Sequence, residues 1–426
     1  MALNIRSAFT SLWKVNERMG RSLKGAKICY FLNGFPKLSE TFILNEIWEL
    51  REKGLDIFLF AVRHSDEEIV QSKDKALMHD VFYLDGLTGR RKLENALITC
   101  FCHPFRVVKT ALFTRKRFRK SPVWKFKEAL YVGGELIRNG VKHIHAHFAM
   151  EAAEKAMLAS FITGISYSMH PHALDIYVRP RMLRDKMAHA MFVSTPCEFN
   201  KRYLLELYPG YPEHKIVVLR LGIDLELFIP SQQQAHKANT PKDLVILSVG
   251  RLVEKKGMIY LLRALKALID DGIMAKVVII GEGPEYDRLS RFIKENRLDG
   301  VVDLKGSCSS EYAKNLFETS DLFVLPCTVA KNGDHDATPT SLLEAMAMKV
   351  PVISTSVAGI PEIIPDACGF VIPEKDTFSL AEAIKKVAKM SDSERKAMGE
   401  AGRKFVETNC NIHIQADKLV GLFERS

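Results

Sequence analysis

Short apolar runs alternate with amphipathic stretches along most of this chain. Lys27–Leu32 reads as a strand, Glu40–Lys53 as a helix and Asp56–Val62 as a strand. A strand at His143–His147, a helix over Met150–Phe161 and strands at Ile165–Met169, Met191–Ser194 and Ile216–Leu219 follow. The pattern then lapses over Pro230–Lys242 (PSQQQAHKANTPK), which is polar and proline-bounded and reads as a linker. It restarts with Leu244–Gly250, a helix over Met258–Ile269, and strands at Lys276–Ile280, Asp321–Leu325 and Val350–Ser354. Strands alternating with helices predict parallel sheets covered by helices. At 426 residues the chain is too long for one ordinary core. Two Rossmann-like domains with a cleft between them are therefore expected, at 1–229 and 244–408, joined by a linker at 230–243. Ligands in such folds bind at the carboxyl ends of the strands.

The chemistry gathers in the second half. Arg251 directly follows the run LVILSVG, and Lys256 and Gly257 stand just before the next helix. A guanidinium and an ammonium at the carboxyl end of a parallel strand suit a diphosphate. Gly281-Glu282-Gly283-Pro284 is a glycine turn where backbone approaches a ligand closely. Asp336 and Glu344 lie eight positions apart across a proline-containing turn and the opening of an apolar helix. The first amides of that helix, at Thr340, Ser341 and Leu342, aim N–H dipoles at an anion. The two carboxylates can accept hydrogen bonds from hydroxyls. A ligand that is both a diphosphate and a polyol, a sugar nucleotide, fits this set.

These segments carry a family resemblance. SVGRLVEKKG, IIGEGP, DLFVLP, the D-x7-E at Asp336 and Glu344, and PVISTSVAGIPEII resemble the donor-binding domain of glycosyltransferase family 4. FPKLSETFILNEI, HIHAHFA, SMHPHALDIY and LGIDLELF resemble the acceptor domain of its exopolysaccharide-building members, of colanic-acid type. The likeness runs over roughly residues 26–425. It implies a GT-B fold and retaining transfer of a hexose from a nucleotide-diphosphate sugar, with no metal and no other cofactor. The acceptor would be a growing, lipid-linked envelope glycan. It also implies that Arg251 and Lys256 hold the diphosphate, Glu344 the ribose and Asp336 the donor-sugar hydroxyls. His172 would lie beside the reacting sugar, with His170 as a rival, and a turn at Asn33-Gly34-Phe35 would face the diphosphate. The final helix, about Ile412–Arg425, would return to the N-terminal domain. Asp336 and Ala337 depart from the family's usual Glu-Gly. If the backbone there needs positive φ, alanine costs about 1 kcal/mol.

Two patterns imitate metal sites. His143, His145 and His147 share one strand face, but they match the family's structural HxHF run. Asp334-His335-Asp336 spells D-x-D, yet it stands after a complete phosphate-binding half. No metal is expected from either.

Charge narrows the partners. Of the net +10, the stretch Arg90–Lys127 holds twelve Lys or Arg against Glu94 alone, interleaved with six aromatic side chains. An anionic membrane surface is the expected partner, with a plain solvated basic face as the alternative, rather than nucleic acid. The N-terminal residues around Ile5, Phe9, Leu12 and Trp13 form a second amphipathic candidate. No run reaches twenty apolar residues, no secretory signal is recognised, and the eight cysteines show no C-x-x-C pair. A cytoplasmic protein, peripheral at the inner face of the membrane, is expected. A sugar-nucleotide epimerase and an inactive sugar-nucleotide-binding relative are the alternatives.

Overall fold

The computed structural model describes residues 27–37, 40–65, 77, 80–230 and 243–425. The N-terminal amphipathic candidate and nearly all of the expected linker lie outside the described residues. The chain forms two compact units. The first comprises the chain up to Thr195, Leu205–Leu219 and the end from Ala416. The second comprises Pro196–Leu204 and Arg220–Gln415.

The first unit is built on a seven-stranded parallel sheet. Its strands are β1 (Lys27–Phe35), β2 (Ile57–His64), β3 (Val81–Tyr83), β4 (Val141–His147), β5 (Ser166–His170), β6 (Val193–Thr195) and β7 (Ile216–Val218). Their order, β3-β2-β1-β4-β5-β6-β7, reverses direction between β1 and β4. In β1, Ile28 through Leu32 are all buried, as a parallel strand covered on both faces requires. The strand runs on through Gly34, which pairs with Arg63 of β2, to a buried Phe35. The expected turn at Asn33-Gly34-Phe35 is therefore strand. A methyl at Gly34 would meet nothing closer than 3.5 Å, so a glycine is not sterically required there.

The second unit repeats the plan with six parallel strands in the order β10-β9-β8-β11-β12-β13. They are β8 (Leu244–Val249), β9 (Ala275–Ile280), β10 (Val302–Leu304), β11 (Leu322–Leu325), β12 (Val352–Thr355) and β13 (Gly369–Ile372). Its reversal falls between β8 and β11. The division between units comes earlier than residue 229, at Leu219/Arg220. Ile223 explains this: its N–H donates to the Cys410 carbonyl (2.7 Å), and Ile412 N–H returns to the Ile223 carbonyl (3.1 Å). Ile223 and Phe228 are buried in the second core. From Ala416 the last helix, Ile412–Glu424, belongs to the first unit, where Leu419 and Phe423 enter the core and Asp417 pairs with Lys53 at 2.6 Å.

Candidate active site

In the second unit the chemistry sits where β8, β9 and β11 end. After β8 come Arg251, which is exposed, and a single turn Glu254–Lys256. Gly257 (φ 67°) then starts the helix Met258–Asp270, and a methyl there would stand 1.9 Å from the Pro326 carbonyl oxygen. Only glycine fits both the left-handed backbone and that approach. Lys256 folds back over Gly250, where an added methyl would meet its Cε at 3.3 Å.

The Lys256 ammonium lies 2.6 Å from Asp336 Oδ2. Lys255, buried beside it, reaches Asp336 Oδ1 at 3.0 Å and Asp334 Oδ1 at 3.1 Å. Burial opposes ionisation of Asp336, but Lys256 and then Lys255 outweigh it and hold the carboxyl below its usual range. Lys256 answers in kind. Burial favours its neutral form, Asp336 outweighs burial, and the ammonium is held above its ordinary value despite the nearby Arg251 charge. Glu344 lies in the helix Thr340–Ala347. Burial pushes its carboxyl up to about 7, against the opposing pull of Lys256. The Lys256 ammonium thus pairs directly with Asp336 and lies within electrostatic reach of Arg251 and Glu344.

The helix Thr340–Ala347 begins after Pro339 with no side-chain cap, so its first amides face out along the axis. Leu342 is not one of these. Its N–H donates to the Pro339 carbonyl (3.3 Å) and its side chain is fully buried. The glycine turn also differs from expectation. Methyls at Gly281 (φ 143°) and Gly283 (φ 151°) would strike the carbonyl oxygens of Gly250 and Leu252, at 2.0 and 2.5 Å. Gly250 N–H donates to Ile280 O (3.0 Å) and Leu252 N–H to Glu282 O (2.8 Å). The close approach is thus to the backbone on either side of Arg251, which the turn clamps. Ala337 is not among the left-handed residues, so the alanine cost does not arise there; Ala358 (φ 49°) is the alanine that carries it.

Sequence reasoning missed Lys255 and Thr338. Lys255 was signalled only by the lysine doublet. Thr338 Oγ1, between Asp336 and the helix start, is buried without a hydrogen-bond partner, and nothing in the sequence marks it. In the Asp334-His335-Asp336 segment, Lys255 pairs with both Asp334 and Asp336. The later turn Gly359-Ile360-Pro361-Glu362 is structural. Glu362 accepts from Glu198 N–H (2.8 Å) and Phe199 N–H (2.7 Å), capping the helix Glu198–Leu207.

In the first unit, His172 follows β5. Its N–H donates to Asp175 Oδ2 (2.9 Å), which also accepts from Ala149 N–H (2.7 Å). Burial pushes the Asp175 carboxyl up to about 6. The His172 ring packs between Phe148 (4.3 Å) and Phe42 (5.1 Å) and remains half-buried. His170 is fully enclosed, with Nδ1 3.0 Å from Ser194 Oγ and its pKa driven by burial to about 3. Of the two rivals, His172 is the less buried. Two of the three β4 histidines share a serine, and the third meets a carboxylate. His143 meets Ser166 and Ser168 at 2.9 and 2.7 Å, and His145 meets Ser168 at 2.7 Å. His147 meets Glu46 at 3.0 Å, a carboxylate that also accepts from Tyr30 (2.7 Å). Glu46, His145 and His147 bring potential donor atoms within 4.8 Å of one another.

Residues 231–405 match the family Glycosyl transferases group 1. WcaL of Escherichia coli K12, named as a colanic acid biosynthesis glycosyltransferase, is 34% identical over 93% of this chain and 99% of its own. The chain belongs to the group 1 glycosyltransferases. AmsK of Erwinia amylovora, named for amylovoran biosynthesis, is 28% identical over 94% of this chain and 99% of its own. The fold agrees. A glycosyltransferase from Rickettsia africae superposes with TM-score 0.68 at 18% identity, covering 93% of this chain and 97% of its own. Anabaena Alr3699/HepE in complex with UDP-glucose gives 0.67 at 15%, covering 93% and 98%. Two Rossmann-like domains of GT-B type are what this glycosyltransferase contains, and an epimerase is not favoured by relatives named as glycosyltransferases.

Proposed function

We propose that this group 1 glycosyltransferase moves a hexose, with retention, from a nucleotide-diphosphate sugar to a growing lipid-linked glycan of the cell envelope. The single observation that carries the reading is the cluster of Arg251, Lys256, Asp336 and Glu344 at the strand ends of the second unit. As the bond from the anomeric carbon to the diphosphate breaks, negative charge grows on the leaving phosphate. Arg251, Lys256 and the amides of Thr340 and Ser341 would meet that charge, and fixed donors there lower the barrier most directly. Glu344 would accept from the ribose hydroxyls. Asp336, held by two lysines, would accept from the donor sugar, and Lys255 would keep it in place when Lys256 turns to phosphate. His172 would stand beside the reacting sugar, with its backbone fixed by Asp175. Positive side chains and dipoles supply the leaving-group stabilisation here, so no metal or other cofactor is assigned.

The relatives named for colanic acid and amylovoran biosynthesis support an exopolysaccharide or related envelope polymer as product. We assign the enzyme to the cytoplasmic face of the membrane, bound peripherally, where a lipid-linked acceptor is reached. The test is transfer of radiolabel from a panel of UDP-, GDP- and ADP-hexoses into solvent-extractable envelope lipid. Label in the lipid phase with at least one donor supports the reading. Label found only as free sugar, or none with any donor, overturns it.

A further inference from the structure

The basic stretch folds as three helices, Gly89–Cys102, Pro104–Arg117 and Pro122–Arg138. The first two are inside out. Their buried side chains include Asn95, Thr99, Thr110 and Thr114, whereas Leu93, Leu97, Phe101, Phe105, Val108 and Leu112 are exposed. The exposed residues recur at intervals of three and four, so each helix presents one continuous apolar stripe to the outside. A helix of a water-soluble core shows the opposite pattern.

The inward face is built from close backbone approach and polar contacts. A methyl at Gly134 would lie 2.2 Å from the Asn95 carbonyl oxygen. Asn95 Nδ2 donates to the Tyr131 carbonyl (3.1 Å) and Glu135 (2.9 Å), and Arg91 grips the same Glu135 with two bonds of 3.0 and 2.8 Å. Small residues and satisfied polar groups inside, with large apolar residues outside, are the packing of helices in lipid.

The two helices meet at a bend of 111°. Phe101 and Phe105 stand on either side of it, 90% and 84% exposed. Each helix has 14 residues, about 21 Å, too short to cross a hydrocarbon layer of about 30 Å. Around the stripe lie exposed Arg90, Lys109, Arg115, Lys116, Arg119 and Lys120. Val123 and Trp124 extend it onto the third helix and are likewise exposed.

We infer that this bent pair is a wedge that enters one leaflet of an anionic bilayer, Phe101 and Phe105 leading, with the cationic rim at the headgroups. The inference deepens the proposed membrane location, replacing surface attraction with apolar insertion, and rests on that location for its biological sense. Charge complementarity selects lipid over other occupants, because a basic rim around an apolar ridge matches anionic headgroups over acyl chains and repels a second copy of itself.

Flotation of the full chain with phosphatidylglycerol/phosphatidylcholine vesicles tests this without needing transfer, so its failure is separate from failure of the proposed reaction. The wild type should float at about 0.1 M NaCl and remain largely bound at about 0.5 M, where surface charge is screened. Phe101→Asp/Phe105→Asp should lose more than about tenfold in partitioning at the higher salt, with unchanged melting. Arg115→Gln/Lys116→Gln should weaken binding chiefly at the lower salt. Wild-type flotation of the double aspartate variant, or complete release of the wild type by salt, overturns insertion. A wild type that never floats but is dimeric until Phe101 and Phe105 are replaced overturns it too, assigning the ridge to a second copy.

Discussion

Replacing Lys256 by Met removes the ammonium around which the donor site is organised and keeps most of the side-chain volume. Two losses add at the transition state. If about half a charge develops on the leaving phosphate roughly 4 Å from Nζ, at an effective dielectric near 20, the missing attraction is about 2 kcal/mol. A lost charge-assisted hydrogen bond contributes about 1.5–3 kcal/mol more. Together, about 3.5–5 kcal/mol, they predict a fall of roughly 400- to 5,000-fold in kcat. Stability should respond differently. A buried carboxylate left wholly unpaired costs about 3–5 kcal/mol, but Lys255 remains 3.0 Å from Asp336. The expected loss is about 1–2 kcal/mol, because the charge keeps one partner. Adding Asp336→Asn removes the strained charge, so the Lys256→Met/Asp336→Asn pair should recover the melting temperature without recovering the rate. Steady-state kinetics with the best donor, alongside calorimetric melting, reads both. A folded Lys256→Met enzyme within about threefold of the wild-type rate would refute the reasoning.

Two further changes probe the same site. With its carboxyl pushed up to about 7, Glu344 is half-ionised near neutrality, and ribose hydroxyls donate most strongly to the ionised form. Donor affinity, followed by titration calorimetry, should therefore fall from pH 8 to pH 6, and Glu344→Gln should flatten that profile and weaken binding about tenfold. Because the folded pKa is raised, the stability linked to it is present below the ordinary carboxylate range and lost as pH rises through about 7. Glu344→Gln should accordingly raise the melting temperature more at pH 8 than at pH 5. Gly281→Ala should force the glycine turn off Gly250, whose carbonyl oxygen would lie 2.0 Å from the new methyl. A loss of about 2–4 kcal/mol is expected, with weaker donor binding because Arg251 is no longer clamped. An unchanged melting curve would contradict that role for the turn.

Strands with long apolar runs were legible from sequence because both faces of a parallel sheet are buried, as in Leu244–Val249. The short strands Val81–Tyr83, Val302–Leu304 and Gly369–Ile372 were not read, although strands as short as Ile216–Val218 were. The helices Gly89–Cys102 and Pro104–Arg117 were read as charge and aromatic content alone, because their apolar face points outward, where an amphipathic pattern places polar residues. At the site, Lys256, Asp336 and Glu344 were singled out by residue type and spacing, and the structure brings them together. What sequence could not show was competition. The lysine doublet is shared with Asp334 and Asp336, and the Gly281–Gly283 turn is spent on backbone packing. Contacts across the strand ends decide such matters, and no local spacing encodes them.

In the proposed mechanism the second unit grips a nucleoside diphosphate through Arg251, Lys256 and the opening of the helix Thr340–Ala347. Titration calorimetry with UDP, GDP and ADP, in buffer containing a chelator, tests it most directly. Saturable binding of at least one of the three is expected, weakened at least about tenfold by Arg251→Met. Absence of binding for all three, or binding that appears only when a divalent cation is supplied, would contradict it.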